Sequence, residues 1–225
     1  MSVDCTLAQS SREDGASWSN PVAIADDGTA DFESRVAGTS GGDAVAVWMN
    51  SRQVMPASAS VGEMAGALEI AVASYDGAAG TWSAQTSLTD NRLLDRSPAL
   101  GVTPAGQAMV LWVSNEANDI FGSQVNPNDI GFALFDGSTW SPEGTVASGV
   151  GSVLHLDVAY NGSAGVAIWS SDSDGDPATL EDQELFIATF DGVTWGAPQQ
   201  VTDNDVADAK PQALFDASNE LIVVW

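Results

Sequence analysis

The eight tryptophans of the chain are regularly spaced, and this spacing restricts its fold more than any other feature. They form four pairs separated by 30, 30, 29 and 30 residues: Trp18 and Trp48, Trp82 and Trp112, Trp140 and Trp169, and Trp195 and Trp225. Successive pairs follow one another at intervals of 55–64 residues. An interval kept in this way indicates an internal structural repeat of that length.

Each repeat contains short strand-like segments, and one of them is almost continuously apolar up to the second tryptophan. These runs read AVAVW, AMVLW, GVAIW and LIVVW. A strand that is apolar on both sides must be covered on both faces, and stacking four-stranded units side by side covers it. The sequence therefore predicts an all-β fold, a β-propeller of four-stranded antiparallel blades. Sandwiches and barrels are the competing all-β folds, but they do not predict paired tryptophans at this period.

The repeat boundaries predict three complete blades within a single domain spanning 1–225. The blades are expected at about 33–88, 97–146 and 155–201, with partial blades at 1–25 and 210–225. Two interpretations are open. In the favoured one the chain is covalently part of a longer protein, because an apolar strand ends at Trp225. In the other, the N-terminal strands complete the last blade and close a four-bladed ring.

A turn sequence recurs before the first tryptophan of three pairs. It reads YDGAAGTW at 75–82, FDGSTW at 135–140 and FDGVTW at 190–195. Asp-Gly is a strong hairpin signal, because glycine accepts positive φ and the aspartate side chain bonds backbone N–H groups ahead of it. We therefore expect structural roles for Asp76, Gly77, Trp82, Asp136, Gly137, Trp140, Asp191, Gly192 and Trp195, and core packing for Trp48, Trp112 and Trp169.

These turn sequences resemble the Asp-box of bacterial neuraminidase repeats, in which Asp, Gly, Thr and Trp close the turn between the third and fourth strands of a blade. The stretch LTDNRLLDRSP at 88–98 also resembles the blade rhythm of TolB-type propellers. The resemblance covers nearly the whole chain as a repeat rhythm. It implies that the Asp-box is structural and lies on the face opposite the active site.

Sialidase chemistry, as the resemblance implies it, needs three arginines that grip a carboxylate, a tyrosine nucleophile with a glutamate, and an acid–base aspartate. The arginines of this chain do not recur in register, and Tyr75 and Tyr160 are expected to pack in strands. The arginines are Arg12, Arg35, Arg52, Arg92 and Arg96. The sequence therefore predicts no catalytic residues and a chain that is not an enzyme.

Aspartates also recur in the segments that join one repeat to the next. They lie eight and thirteen residues after the first tryptophan of three pairs: Asp26 and Asp31, Asp90 and Asp95, and Asp203 and Asp208. A ring of carboxylates that binds cations or sugars is one interpretation. Capping of the turn at each blade junction is the other, and it is favoured.

The segment 171–182, SDSDGDPATLED, is the best metal candidate. Asp172, Asp174 and Asp176 have the alternate spacing of a calcium loop, and such hard oxygen ligands suit Ca²⁺. However, Pro177 replaces the expected glycine and Gln183 stands where the bidentate glutamate belongs. A solvated acidic loop is the alternative to a calcium site.

The charge balance excludes some partners. Six Lys and Arg oppose 31 Asp and Glu, for a net charge of −25, so nucleic acid is not an expected partner. No run of 18 apolar residues occurs, so insertion into a membrane is not expected either. The single cysteine, Cys5, permits no internal disulfide, and His155 is expected to be a surface or edge residue just before a strand.

The sequence thus favours a non-catalytic propeller module of an extracellular or cell-surface protein, whose signal peptide is not in this chain. It would bind a protein, a glycan or a cation through the variable loops at 49–67, 113–128 and 170–183. The alternative is a non-catalytic part of a sialidase-like, glycan-processing enzyme whose active-site residues lie outside this chain.

Overall fold

The computed structural model describes residues 8–10, 20–172, 179 and 181–225. Between two short hairpins, its strands form two four-stranded antiparallel sheets and one five-stranded sheet, in which two short strands share the fourth position. This confirms the predicted propeller architecture of antiparallel blades. Each sheet is a meander in which consecutive strands pair. The three sheets span residues 31–87, 94–147 and 152–200.

The first hairpin pairs β1 (Ala8–Ser10) with β2 (Val22–Ala25). Blade 1 contains β3 (Asp31–Gly38), β4 (Ala44–Ser51) and β5 (Leu68–Asp76), and its fourth position is shared by β6 (Thr81–Trp82) and β7 (Thr86–Ser87). Blade 2 contains β8 (Leu94–Val102), β9 (Ala108–Asn115), β10 (Asp129–Phe135) and β11 (Gly144–Ala147). Blade 3 contains β12 (Ser152–Tyr160), β13 (Gly165–Asp172), β14 (Gln183–Phe190) and β15 (Gln199–Gln200). A last hairpin pairs β16 (Gln212–Phe215) with β17 (Leu221–Val224).

In blades 2 and 3 the fourth strand begins after the turn tryptophan, whereas in blade 1 the short strand β6 includes Trp82. Trp140 and Trp195 form only isolated bridges, with Phe135 and Phe190, and the paired segments β11 and β15 begin four residues later. Pro142 and Pro198 follow the two tryptophans. Proline cannot donate a ladder hydrogen bond, so it interrupts the strand at these points.

The core consists of layers between neighbouring sheets. Val47 and Ile70 of blade 1 pack against Val110 and Trp112 of blade 2, and a second layer joins blades 2 and 3 around Trp169. Trp48, Trp112 and Trp169 are each no more than 2% exposed, whereas Trp18 lies outside the described residues. The apolar second strands are thus covered on both faces, as the stacking of blades requires.

The first strand of each blade contacts the first strand of the next, in the order β3, β8, β12 and β16. These four are called the inner strands below. They follow an arc, and no comparable contact joins β16 back to β3 in the described part of the chain. Closure into a ring is therefore not observed.

The antiparallel meander separates the connections onto two faces. The segments that join one blade to the next lie on the same face as the loops β4–β5, β9–β10 and β13–β14, here called the loop face. The Asp-Gly turns lie on the opposite, turn face. The loop β4–β5 contains a helix that the sequence reading missed, α1 (Val61–Ala65), with a capping box between Ser60 and Glu63. Within the described residues no helix is long and apolar enough to cross a membrane.

Candidate functional site

The Asp-Gly turns are closed by their aspartates. Oδ1 of Asp136 accepts hydrogen bonds from the N–H groups of Ser138 and Thr139, both at 2.8 Å. These bonds hold the pKa of the exposed Asp136 carboxyl down at about 2. Asp191 makes the equivalent pair of bonds, and Asp76 accepts from Ala78 and Ala79.

The glycine of these turns has positive φ in two of the three cases. Gly137 and Gly192 have φ of 101° and 97°, but in the longer turn of blade 1 the positive φ falls on Gly80 rather than Gly77. The tryptophans that follow lie against an aromatic residue of the preceding strand: Tyr75 with Trp82, Phe135 with Trp140, and Phe190 with Trp195. The recurring residues of the turn face therefore make hydrogen bonds and ring contacts within their own blade.

The junction aspartates lie on the loop face and divide into two groups. Asp26, Asp90 and Asp203 are exposed, and Asp90 is bound by Arg52 at 2.6 Å. The second member of each pair accepts a side-chain amide at 2.7–3.1 Å: Asp31 from Asn50, Asp95 from Asn91, and Asp208 from Asn204.

The residue that turns the chain at these junctions is one position later than the sequence reading suggested. Asp27, Asn91 and Asn204 each accept the N–H two residues ahead through Oδ1. A buried glutamate on the third strand, Glu69 or Glu184, accepts the backbone N–H of that asparagine in two junctions. This Glu–Asn–Asp pattern was missed because the glutamates lie about 20 residues before the junctions in sequence.

Only one of the three candidate calcium ligands, Asp172, lies among the described residues. Asp172 ends β13 and is 1% exposed, while Asp174, Asp176 and Pro177 lie outside the described residues, as does Cys5. Among the residues that the structure describes, no three His, Cys, Asp or Glu side chains are grouped to hold a metal ion.

Each of the first three inner strands contains a β-bulge near its loop-face end. The register shifts between Phe32 and Arg35, between Arg96 and Ala99, and between Val153 and His155. Glu33 and Ser97 have positive φ of 47° and 52° within the first two bulges, and Lys210, just before β16, has a φ of 55°. Bulges re-aim side chains and are frequent next to active sites.

Three basic residues lie at these bulges, and a fourth lies just before β16. Arg35, Arg96 and His155 lie on β3, β8 and β12, and Lys210 lies just before β16. One basic side chain thus comes from each inner strand, in a chain with six Lys and Arg and one His. We call these four residues the basic cluster. Its members lie 14 to 17 residues after the first tryptophan of each pair, so comparing all basic residue types at this position of the repeat would have found the cluster.

Arg96 is the most enclosed member of the basic cluster. Its guanidinium donates to the carbonyl of Val153 at 2.7 Å and to Oγ of Ser97 at 3.0 Å, and its Nε is buried without a partner. Burial lowers its pKa to about 10, although the nearby carboxylates of Glu33 and Asp119 oppose this shift. Arg96 therefore stays charged at neutral pH.

His155 lies within β12 and is half-buried, so its expected position just before a strand is wrong. Its Nδ1 is 3.0 Å from Oγ of Ser170. Burial lowers its pKa, and the charges of Lys210 and Arg96 lower it further. This effect places both Arg96 and Lys210 within electrostatic range of His155.

A half-buried carboxyl group lies on the same inner strand as His155. Asp157 accepts the N–H of Ala213 through Oδ2 at 2.8 Å. Burial raises its pKa, and hydrogen bonds from the Ala213 and Val158 backbone and the charge of Arg35 only partly offset that rise. The inner strands therefore bring together fixed positive charge and a carboxyl group with an increased affinity for its proton.

Similar folds are found among solved structures of enzymes that act on carbohydrates. A Hadza microbial sialidase superposes with a TM-score of 0.54 at 14% identity, over 81% of this chain and 39% of its own. A polysaccharide lyase, the PL25 ulvan lyase bound to -[GlcA(1-4)Rha3S]-, superposes with a TM-score of 0.58 at 11% identity, over 92% and 51%. The α-L-arabinanase of Penicillium chrysogenum in complex with arabinobiose gives 0.57 at 11%, over 96% and 66%.

These comparisons establish the propeller fold and correct one expectation. No family model and no curated protein matches the sequence, and the chain spans about two fifths to two thirds of the length of the similar structures. The prediction that the chain is not an enzyme is contradicted, because the three similar structures described above are a sialidase, a lyase and an arabinanase. Only arginines were compared between the repeats, whereas His155 and Lys210 occupy the corresponding position in the third and fourth repeats.

Proposed function

We propose that this chain is part of a carbohydrate-active β-propeller enzyme that binds and cleaves an acidic glycan over the loop-face ends of its inner strands. The observation that carries the proposal is the basic cluster. In a chain with a net charge of −25, Arg35, Arg96, His155 and Lys210 converge from four successive inner strands. The proposal also places the protein outside the cell, where polymeric glycans occur.

Electrostatics supports an anionic substrate. A positive patch in a strongly acidic protein concentrates anions locally, while the remaining surface repels them. Arg96 presents a planar fork of donors that matches carboxylates and sulfates, whereas Lys210 contributes a compact charge. Because the pKa of His155 is lowered, the positive charge at neutral pH comes from Arg35, Arg96 and Lys210. The ulvan lyase, which has a similar fold, is bound to a repeat of glucuronate and sulfated rhamnose.

Asp157 is the proposed proton-transfer group. Hydrolysis of a glycosidic bond and elimination from a uronate both require a group that gives or takes a proton at the reacting atoms. The pKa of Asp157 is raised by burial, which brings it closer to the pH at which such transfer is efficient. Its Oδ2 accepts the N–H of Ala213 at 2.8 Å, which fixes the orientation of the carboxyl group.

The binding part is tested on an array of acidic and neutral oligosaccharides. The acidic probes are ulvan oligosaccharides, oligogalacturonates, chondroitin sulfate oligosaccharides and sialyllactose, and the neutral probes are arabino- and galacto-oligosaccharides. We expect the protein to bind at least one acidic probe and Arg96→Gln to weaken that binding at least tenfold, the loss typical of a charge-assisted hydrogen bond. Arg92→Gln is the matched control, because it removes the same charge from an exposed loop position.

The catalytic part is tested with Asp157→Asn, by measuring new reducing ends on the acidic probe that binds. Loss of a general acid–base group lowers kcat by about 10²–10⁴, while binding on the array should persist. Failure of every acidic probe to bind, or equal binding by the Arg96→Gln variant, would reject the proposed site. Binding without cleavage by the wild-type protein would reject the proposed reaction.

A further inference from the structure

We infer that Phe121, on the loop β9–β10, is a platform on which a sugar ring of the substrate stacks beside the group bound by Arg96. This makes Phe121 a residue that determines specificity for oligosaccharide length. The inference rests on the proposed function, because it assigns a neighbouring subsite to the same glycan. Phe121 is 55% exposed and its neighbour Ile120 is 40% exposed.

The backbone of Phe121 is held in place from two sides. Its N–H donates to Oδ1 of Asp119 at 3.2 Å, and its carbonyl accepts from Nδ2 of Asn128 at 2.9 Å. Asn128 is fully buried and its Oδ1 accepts from the buried Asn115. The ring of Phe121 is therefore exposed on a loop whose hydrogen bonds reach into the blade.

The same hydrogen bonds place Phe121 beside the basic cluster. The carboxylate of Asp119, which holds the Phe121 N–H, is close enough to Arg96 to raise the pKa of the guanidinium. Gly122 follows Phe121, and its carbonyl accepts from Oγ of Ser152 at the start of inner strand β12 at 2.8 Å. The loop is thus joined to the strand that carries His155 and Asp157.

An exposed aromatic ring on a preorganised loop suits a pyranose ring. The C–H face of a sugar is apolar and packs on an aromatic face, while its hydroxyl and acidic groups stay at the edge for polar partners. The backbone of Phe121 is already ordered, so stacking costs less conformational entropy than on a mobile segment. Single exposed apolar residues are common and carry no such meaning; the anchoring beside Arg96 distinguishes Phe121.

The test compares Phe121→Ala, Phe121→Trp and the control Val125→Ala across probe lengths. Val125 lies on the same loop and is 86% exposed. The probes are the four acidic oligosaccharide series named above, together with free glucuronate, galacturonate and N-acetylneuraminate measured by ligand-observed NMR. We expect Phe121→Ala to weaken binding of the longer oligosaccharides about threefold to tenfold, the range of an aromatic stacking contact. Phe121→Trp and Val125→Ala should retain wild-type affinity.

The free acidic monosaccharides separate the two subsites. Their binding should be unchanged in Phe121→Ala and weakened in Arg96→Gln. Wild-type affinity of the Phe121→Ala variant for every probe length, with Arg96→Gln still impaired, overturns this inference alone. Equal loss for monosaccharides and oligosaccharides in Phe121→Ala also overturns it, because a length-independent effect is not a separate subsite. If Arg96→Gln binds both the monosaccharides and the oligosaccharides as tightly as the wild type does, the proposed function and this inference are both overturned.

Discussion

Replacement of Asp95 by asparagine should stabilise the protein at alkaline pH. Asp95 is the second residue of inner strand β8, is fully buried, and accepts a hydrogen bond from Nδ2 of Asn91 at 3.1 Å. Burial raises the pKa of its carboxyl to about 7, and the charge of the buried Glu69 adds to this effect against hydrogen bonds from Ser114, Thr89 and Asn91. Above pH 7 the folded protein must therefore keep a negative charge in an unfavourable environment.

The sign and the size of the effect follow from the two pKa values. Between about pH 4 and pH 7 the folded state binds a proton at Asp95 that the unfolded state has released, so stability falls as the pH rises through this window. A rise from 3.8 to about 7 corresponds to about 4 kcal/mol, at about 1.4 kcal/mol per unit. Asparagine has nearly the same shape and never ionises, so it removes this loss.

Urea denaturation of both proteins between pH 4.5 and 8.5 at constant ionic strength measures the difference. We expect the free energy of unfolding of Asp95→Asn to match the wild type near pH 4.5 and to exceed it by up to about 4 kcal/mol at pH 8.5. The control is Asp208→Asn at the equivalent position. There desolvation raises the pKa, but hydrogen bonds from Asn204, Thr202 and Trp225 outweigh it and the pKa is lowered, so neutralisation should destabilise. A pH-independent difference, or destabilisation of Asp95→Asn at pH 8.5, would refute the reasoning.

Two further predictions test the packing and the turns. In urea denaturation, Trp112→Ala should lower the free energy of unfolding by about 3–5 kcal/mol, because Trp112 is 2% exposed between blades 1 and 2. The control is Trp225→Ala. Trp225 is 59% exposed, so its replacement should cost only about 1 kcal/mol, through loss of the hydrogen bond to Asp208. A stable Trp112→Ala protein would contradict the packing role. In an NMR titration the Asp136 carboxyl should have a pKa of about 2, so its stabilising effect is present above pH 4 and lost as the pH falls toward 2; a value near 3.8 would show that the turn hydrogen bonds do not form.

The blade repeat could be predicted from the sequence because its causes are local and recur. Each apolar second strand must be buried on both faces. Because this requirement recurs in every repeat, Trp48, Trp112 and Trp169 are buried in equivalent layers. The Asp-Gly turns are equally local, since Asp136 and Asp191 bond N–H groups two and three residues ahead. The short helix α1 could also have been found, from the Ser60-to-Glu63 capping box.

The candidate site could not be predicted in the same way. Arg35, Arg96, His155 and Lys210 lie 14 to 17 residues after a tryptophan, but they are of three residue types. Only the contacts between inner strands show them as a cluster. The proposed platform at Phe121 also depends on tertiary structure, because Oγ of Ser152 in blade 3 donates to the carbonyl of the adjacent Gly122. The prediction of a non-enzyme was wrong because these residues were considered individually and not as a cluster.

The sequence by itself determined the architecture: four-stranded units, their period, the tryptophans between them and the turns that close them. These depend on periodicity and local hydrogen bonding, which are written in consecutive residues. Only the tertiary structure determined the pKa values of equivalent carboxyl groups. Asp95 and Asp208 occupy the same position of the repeat, yet the pKa of the first is raised and that of the second is lowered. Their pKa values depend on partners from other strands, such as Glu69 and Trp225, and no repeat pattern specifies those partners.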